Sequence, residues 1–226
     1  MTQHKAAKEL RAKRDPVATK VVLLDSASVL FADLGFDGST AELIAEAAGV
    51  NKAMINYHFG GKEGLYRACL EQIFAEVEAS LTAIRTAEAA PDDKLDRYIA
   101  AFAVLNAKQP TFARLVLREI LSGGRFLDEV LLPRFLSIFE TIRAIVWQGM
   151  REGMFRAADP LMTHLSIVGV LVFFFATAPF RERLVVEKKL PVQSPSTEKF
   201  VAHVRELIAH GLMRADAPAR RGEVTP

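Results

Sequence analysis

Apolar residues recur at helical spacing along almost the whole of this chain. From about Pro16 to Leu34, Val17, Val21, Leu24, Ser28 and Phe31 fall on one stripe, and Val22, Leu23, Ala27 and Leu30 widen it. So broad an apolar face has to be packed on more than one side. Pro16 suits the first turn of this helix and Gly35 its C-terminal cap. Ser39-Thr40-Ala41-Glu42 then reads as a capping box for a second helix, with Ser39 as the cap and the Thr40 hydroxyl left free. Asn51 is the expected N-cap of a third helix running to about Phe59, and Gly60-Gly61 breaks it. Lys62 opens a long fourth helix to roughly Arg85, with Leu65, Cys69, Ile73 and Val77 inward.

Beyond Arg85 the same reading continues. Pro91 opens a helix with Leu95, Tyr98, Ile99, Phe102 and Leu105 inward, and Asp92 and Asp93 suit its positive end. Pro110 starts another, with Phe112, Leu115, Val116 and Ile120 inward, ending at Gly123-Gly124. A longer stretch runs from about Phe126 to Glu152 with a bend at Pro133, and Gly153 closes it. The next predicted helix spans about Pro160 to Ala178. Pro179 to Pro195 holds three prolines and reads as a connector. Ser196 or Thr197 caps a last helix carrying Phe200, Val204, Leu207, Ile208 and Leu212, and a disordered tail is expected over 214–226. No segment alternates as a half-buried strand would, so the fold class is all-α, with about nine helices.

The spacing inside residues 39–62 is that of a helix-turn-helix. Counting from Ala41 as the first position, Ala45 is fifth, Gly49 ninth and Ile55 fifteenth. A small residue is needed where two short helices cross, and glycine adopts positive φ at the turn without a Cβ penalty. Ile44, Ala48, Val50, Ile55 and Phe59 supply the contacts between the two helices. Lys52, Ala53, Met54, Asn56 and Tyr57 are then left outward, as a groove-reading helix requires. The division read from the chain is a basic arm and DNA-binding domain over 1–62 and a larger helical domain over 63–213.

Composition changes this picture in a few places. A formal net charge of +2 does not itself point to nucleic acid. Residues 1–20, however, carry Lys5, Lys8, Arg11, Lys13, Arg14 and Lys20 against Glu9 and Asp15, a local excess of four positive charges. Such an arm suits phosphate or minor-groove contact, and a solvated terminus explains it equally well. The single cysteine, Cys69, fits a reducing cytoplasm and the role of core filler. The first residues have no apolar region, so no signal peptide is expected. The longest apolar run, from Ile167 to Ala178, is shorter than the roughly 20 residues that span a bilayer, so no membrane contact is expected. No Gly-rich phosphate loop, HExxH or nucleophile elbow occurs, and His4, His58, His164, His203 and His210 lack metal-ligand spacing. No enzyme activity, cofactor or metal is expected.

At residues 48–66, AGVNKAMINYHFGGKEGLY, the chain resembles the tetracycline-repressor (TetR) family, whose usual pattern is close to AGVSxGTLYxHFxxKExL. Ala48, Gly49, Val50, His58, Phe59, Lys62, Glu63 and Leu65 agree with it, and the likeness covers about residues 17–70. Asn56 stands where the family often has tyrosine, and Ala53-Met54 where it has Gly-Thr. The resemblance implies a double-stranded, palindromic DNA operator. It also implies a homodimer through the last two helices, at about 160–178 and 196–213, and a small-molecule effector bound among the C-terminal helices.

The DNA chemistry divides into two layers. Thr40, Tyr57, His58 and Lys62 are the expected phosphate contacts. Lys52 can donate to guanine and Asn56 can pair with adenine, while Ala53 and Met54 offer only apolar contact to a thymine methyl. The candidate effector residues are Phe102, Phe112, Glu119, Phe139, Arg143, Trp147, His164 and Phe174. Glu119 shares a face with Phe112, Leu115 and Val116, where an unpaired carboxylate is costly. It is either a ligand contact or a member of a structural ion pair with an arginine. The expected function is a ligand-released repressor. An architectural DNA-binding protein without a small-molecule ligand is the alternative.

Overall fold

The computed structural model describes residues 15–189 and 193–214. The basic arm up to Arg14 and the tail from Ala215 lie outside them. Ten α-helices are present among the described residues: α1 (Pro16–Gly38), α2 (Ala41–Ala48), α3 (Ala53–Phe59), α4 (Lys62–Thr86), α5 (Pro91–Lys108), α6 (Phe112–Leu121), α7 (Leu131–Arg151), α8 (Pro160–Ala176), α9 (Ala178–Val186) and α10 (Thr197–Leu212). They fall into two compact units that are not consecutive in sequence. Among the described residues, the first comprises 15–74 and 114–131, and the second 75–113, 132–189 and 193–214.

In the first unit, α1 buries Thr19, Leu23, Ala27, Phe31 and Ala32. The apolar stripe is thus rotated from the expected one, and Val17 and Val21 are at least half exposed. Leu23, Ala27 and Phe31 keep the i, i+4 spacing, so the period holds and its phase differs. Gly35, at φ 76°, interrupts the helical dihedrals near its end. Two capping expectations are corrected here. Thr40, not Ser39, caps α2, its Oγ1 accepting from the Leu43 N–H at 3.2 Å. Ser39 is fully buried and its hydroxyl donates back to the Gly35 carbonyl at 2.8 Å. The kink at Gly35 leaves that carbonyl without a helical partner, and Ser39 supplies one. Leu65, Cys69 and Ile73 of α4 are buried as their spacing predicts. Burial pushes the Cys69 thiol up to about 12, so it stays protonated as a core side chain.

The second unit is built on α5, whose Leu95, Tyr98, Ile99, Phe102 and Leu105 are all buried. The helix α10 packs on α5 and on α8. Lys94, although buried, donates to the Gln148 Oε1 of α7 at 3.0 Å. Phe174 of α8 stacks on Phe200 of α10 with centroids 3.6 Å apart. The chain after α10 returns to α7, with Phe155 and Met213 forming an isolated antiparallel bridge. Two sequence expectations change here. The stretch after Gly124 is not helical until Leu131, so Pro133 sits in the first turn of α7, where it costs no hydrogen bond. The expected connector 179–195 contains α9, because Pro179 is its second residue and removes no helical bond. Among the described residues no single helix is long and apolar enough to cross a membrane.

Candidate nucleic-acid interface

The turn between α2 and α3 is set by Gly49, in the left-handed region at φ 63°, whose N–H bonds back to the Glu46 carbonyl at 3.0 Å. Ile44, Ala45 and Ala48 on one side and Ile55 on the other are buried, so the two helices lock through small and β-branched apolar groups. Asn51 Oδ1 accepts from the Ala53 N–H at 2.8 Å just before α3. Lys52, Ala53, Asn56 and Tyr57 are exposed, Tyr57 by 75% of its surface, while Met54 and His58 are partly covered. The His58 ring lies between Tyr57 and Phe59, with centroids 4.9 and 6.2 Å away.

The two cations of this region are both engaged. Lys52 Nζ is hydrogen-bonded to Glu42 across the turn, both side chains remaining more than half exposed. That ammonium, more than any other group, holds the Glu42 carboxyl below its ordinary value. Lys62 Nζ donates to the Phe36 carbonyl at 2.9 Å and lies 4.1 Å from the Phe36 ring centre. An ammonium has three donors, so two remain after the Phe36 bond is made. Between these residues, α4 starts so close to α3 that a Cβ on Gly64 would lie 1.8 Å from the Phe59 carbonyl oxygen. Glu42 has no counterpart in a reading of α3 alone, and its signal is positional: it lies on α2, ten residues before Lys52.

Segment 114–131 closes the same unit around Glu119, which is 1% exposed. Its Oε2 accepts from the Tyr66 hydroxyl at 3.0 Å and its Oε1 from the Phe126 N–H at 2.6 Å. Burial first, then the neighbouring Glu119 charge, raises the Tyr66 phenol well above its ordinary value. Tyr66 also packs edge-on to Phe31 at 4.8 Å and against Phe36 and Phe126. Arg118 donates to the Ala32 and Asp33 carbonyls at 2.7 and 2.6 Å, capping the end of α1 before its kink. Arg114 pairs with Asp33, and Arg67 with Asp128. Each oxygen of the Glu119 carboxylate therefore has a donor from its own unit.

The remaining residues singled out for an effector do not gather at one point. Phe102 and Phe112 are buried, with centroids 6.4 Å apart, and Tyr98 stands between Phe102 and the His164 Nδ1, 3.4 Å from the latter. His164 packs edge-on to Phe139 at 5.5 Å, and burial lowers its pKa. Arg143 is exposed and pairs with Glu140 one turn back, so it is not the partner of Glu119. Trp147 is 54% exposed. Phe174 lies apart, against Phe200. Ile120 also departs from its expected inward position and is 44% exposed. Among the described residues no group of three or more potential metal ligands occurs.

These features define a class: a helical protein with an N-terminal helix-turn-helix whose second helix is outward-facing and whose body is a separate bundle. The chain belongs to the TetR family. Residues 23–69 match the family model for bacterial regulatory proteins of the tetR family, and residues 91–208 that for the tetracyclin repressor-like C-terminal domain. It is 32% identical to the HTH-type transcriptional regulator RutR of Escherichia coli O157:H7 over 71% of this chain and 75% of that one. It is 29% identical to the HTH-type transcriptional repressor NicS of Pseudomonas putida over 70% of this chain and 75% of that one. The fold is shared with the ketosteroid transcriptional regulator KstR2 of Mycobacterium tuberculosis, at a TM-score of 0.72 and 17% identity over 86% of this chain and 95% of that one. The chain is a DNA-binding transcriptional regulator.

Proposed function

We propose that this regulator is a dimeric repressor that grips two half-sites of a palindromic operator and is released by a small-molecule effector in its second unit. The observation that carries the DNA reading is the outward face of α3, where Lys52, Ala53, Asn56 and Tyr57 are exposed over a helix locked from behind by Ile55. Lys52 reads guanine and Asn56 adenine in the major groove, with Ala53 and Met54 against a thymine methyl. Thr40 keeps its hydroxyl hydrogen for a phosphate while its oxygen caps α2. Tyr57, His58 and the two remaining donors of Lys62 complete the backbone contacts.

One reading head recognises a short half-site, so two heads about 34–36 Å apart are required for a selective operator. The proposed pairing surface uses α8 and α10. Leu161, Met162 and Leu165 on the first half of α8, and Leu207 on α10, are large apolar groups left exposed. Such a patch on one face is the signature of an association surface. Phe102, Phe112, Phe139, His164 and Phe174 remain the candidates for effector contact within the second unit. The helix α4, which contributes residues to both units, is the proposed covalent link between effector and reading head.

The test starts from an operator selected out of random duplex DNA by the full-length chain. Lys52→Ala should relax base preference at one position per half-site and weaken operator binding by about 1–3 kcal/mol. An unchanged preference and affinity would contradict the assignment. A compound that releases the operator from the wild-type chain supports the effector reading, and its binding should be lost on altering the second-unit candidates.

A further inference from the structure

Segment 114–131 lays three arginines on the end of α1, and their partners differ. Arg114 is paired with Asp33, and Arg118 is held by the Ala32 and Asp33 carbonyls. Arg125 is not tied down in this way. It follows Gly123 and Gly124, whose φ values of 83° and 72° lie in the left-handed region and turn the chain back after α6. The next residue, Phe126, is pinned through its N–H to the Glu119 Oε1. That turn sets the Arg125 guanidinium against two rings, its carbon 5.1 Å from the Phe36 centre and 5.0 Å from that of Phe126. The centroids of these rings are themselves 4.7 Å apart.

Contact with the rings leaves the guanidinium donors available. Among the described residues Arg125 makes no side-chain hydrogen bond, and its one carboxylate neighbour is Asp37, with an N···O distance of 3.7 Å. Both side chains of that pair are more than half exposed, so water screens it and little holds it closed. A guanidinium carries five N–H donors in a planar fork that matches a phosphate, and its stacking on aromatic rings restrains the arm that bears it. Lys62 shares the Phe36 ring. Its Nζ lies 4.1 Å from the ring centre, so the two cations are no farther apart than the sum of their distances to it. That separation is within the Debye length of about 10 Å at 0.1 M salt, so both act on the same stretch of a charged backbone. The exposed Thr40 stands at the far end of the same short connection, after the buried Ser39.

We propose that Arg125 is a further DNA contact of this regulator, donating to a backbone phosphate beside the one taken by Lys62. The reading head is then clamped from outside the helix-turn-helix, by a loop remote from it in sequence. The placement of Arg125 at DNA rests on the assignment of Lys62 to a phosphate. Arg125 adds affinity and register without base preference, because phosphate contacts carry no sequence information directly.

Fluorescence anisotropy of the full-length chain on a scrambled duplex across a salt series tests it, with melting by circular dichroism as the check on folding. Arg125→Gln should flatten the dependence of log K on log salt by about 0.9 per reading head, and Arg125→Lys, which keeps the charge and loses the fork, should keep the wild-type slope. Lys62→Gln should flatten it by a similar amount, and the double variant by twice as much. Arg125→Met makes the same comparison if the glutamine variant melts early. A wild-type slope in the uncharged variant overturns the proposal, whatever Lys62→Gln does. A double variant that loses no more than Lys62→Gln alone overturns it as well, because Arg125 then acts only by seating Phe36 under Lys62. If Arg125→Gln flattens the slope and Lys62→Gln does not, the Arg125 contact is upheld and the assignment of Lys62 falls.

Discussion

At the scale of single residues, the reading surface is defined as much by the acid on α2 as by Lys52 at the start of α3. Glu42 neutralises Lys52 in the free protein, so the tip of the reading helix approaches DNA with no net charge from this pair. Glu42→Gln should therefore steepen the salt dependence of non-specific DNA binding by about one phosphate contact, with log K changing by about 0.9 more per decade of salt. Anisotropy titrations across salt concentrations measure it, and an identical slope would count against the role given to the pair. Glu119 acts in the opposite sense, as an acceptor for two buried donors. Glu119→Ala leaves the Tyr66 hydroxyl and the Phe126 N–H without an acceptor and should cost about 2–4 kcal/mol in urea unfolding, whereas Glu119→Gln, which keeps one carbonyl, should cost less. His164 supplies a pH dependence. Its pKa lies below the ordinary 6.5 because burial disfavours the imidazolium, so the unfolded chain binds a proton that the folded one does not. The stability is complete above pH 6.5 and falls as the pH drops below it. The difference between wild type and His164→Gln in urea midpoint should show this slope, and a pH-independent difference would remove it.

At the scale of elements, the junction between α3 and α4 is the tightest point on the reading head. A side chain at Gly64 meets the Phe59 carbonyl oxygen at 1.8 Å, a distance that backbone atoms do not relieve. Gly64→Ala should lower stability by about 3 kcal/mol and reduce operator affinity through the displaced α3. A variant with wild-type melting and binding would show that the junction yields. The elements themselves were largely legible in the sequence, because Gly49, Gly60, Pro91 and Pro160 announce helix ends by backbone chemistry that needs no tertiary context. Phase was harder to read. In α1 both Val21 and Leu23 satisfy an apolar stripe, and only packing against partners such as α2 and α3 decides that Leu23 faces inward. The exchange of roles between Ser39 and Thr40 has a similar cause, since the Gly35 carbonyl is free to claim the Ser39 hydroxyl only once the chain has kinked. Pro179 misled for a different reason: a proline punctuates a helix equally well by ending one or by opening the next.

At the scale of the whole molecule, the chain is a TetR-family regulator whose two compact units share α4 and α6. The assignment of segment 114–131 to the first unit was not legible from linear order. It depends on contacts more than 80 residues apart in sequence, such as Arg118 to the Ala32 carbonyl. The same distance hid the nature of Glu119, whose spacing among Phe112, Leu115 and Val116 showed that it is buried but not what satisfies it. For pairing, Leu165→Asp with Leu207→Asp should shift the chain from dimer to monomer in sedimentation without unfolding it, because both side chains are exposed in the single chain. The account stands most directly on operator reading by α3. Fluorescence anisotropy of the full-length chain on its selected operator and on scrambled duplex, with wild type and Lys52→Ala across a salt series, measures that reading. The account predicts that Lys52→Ala narrows the gap between operator and scrambled DNA by about 1–3 kcal/mol per half-site. A gap that is unchanged by the substitution at every salt concentration would contradict it.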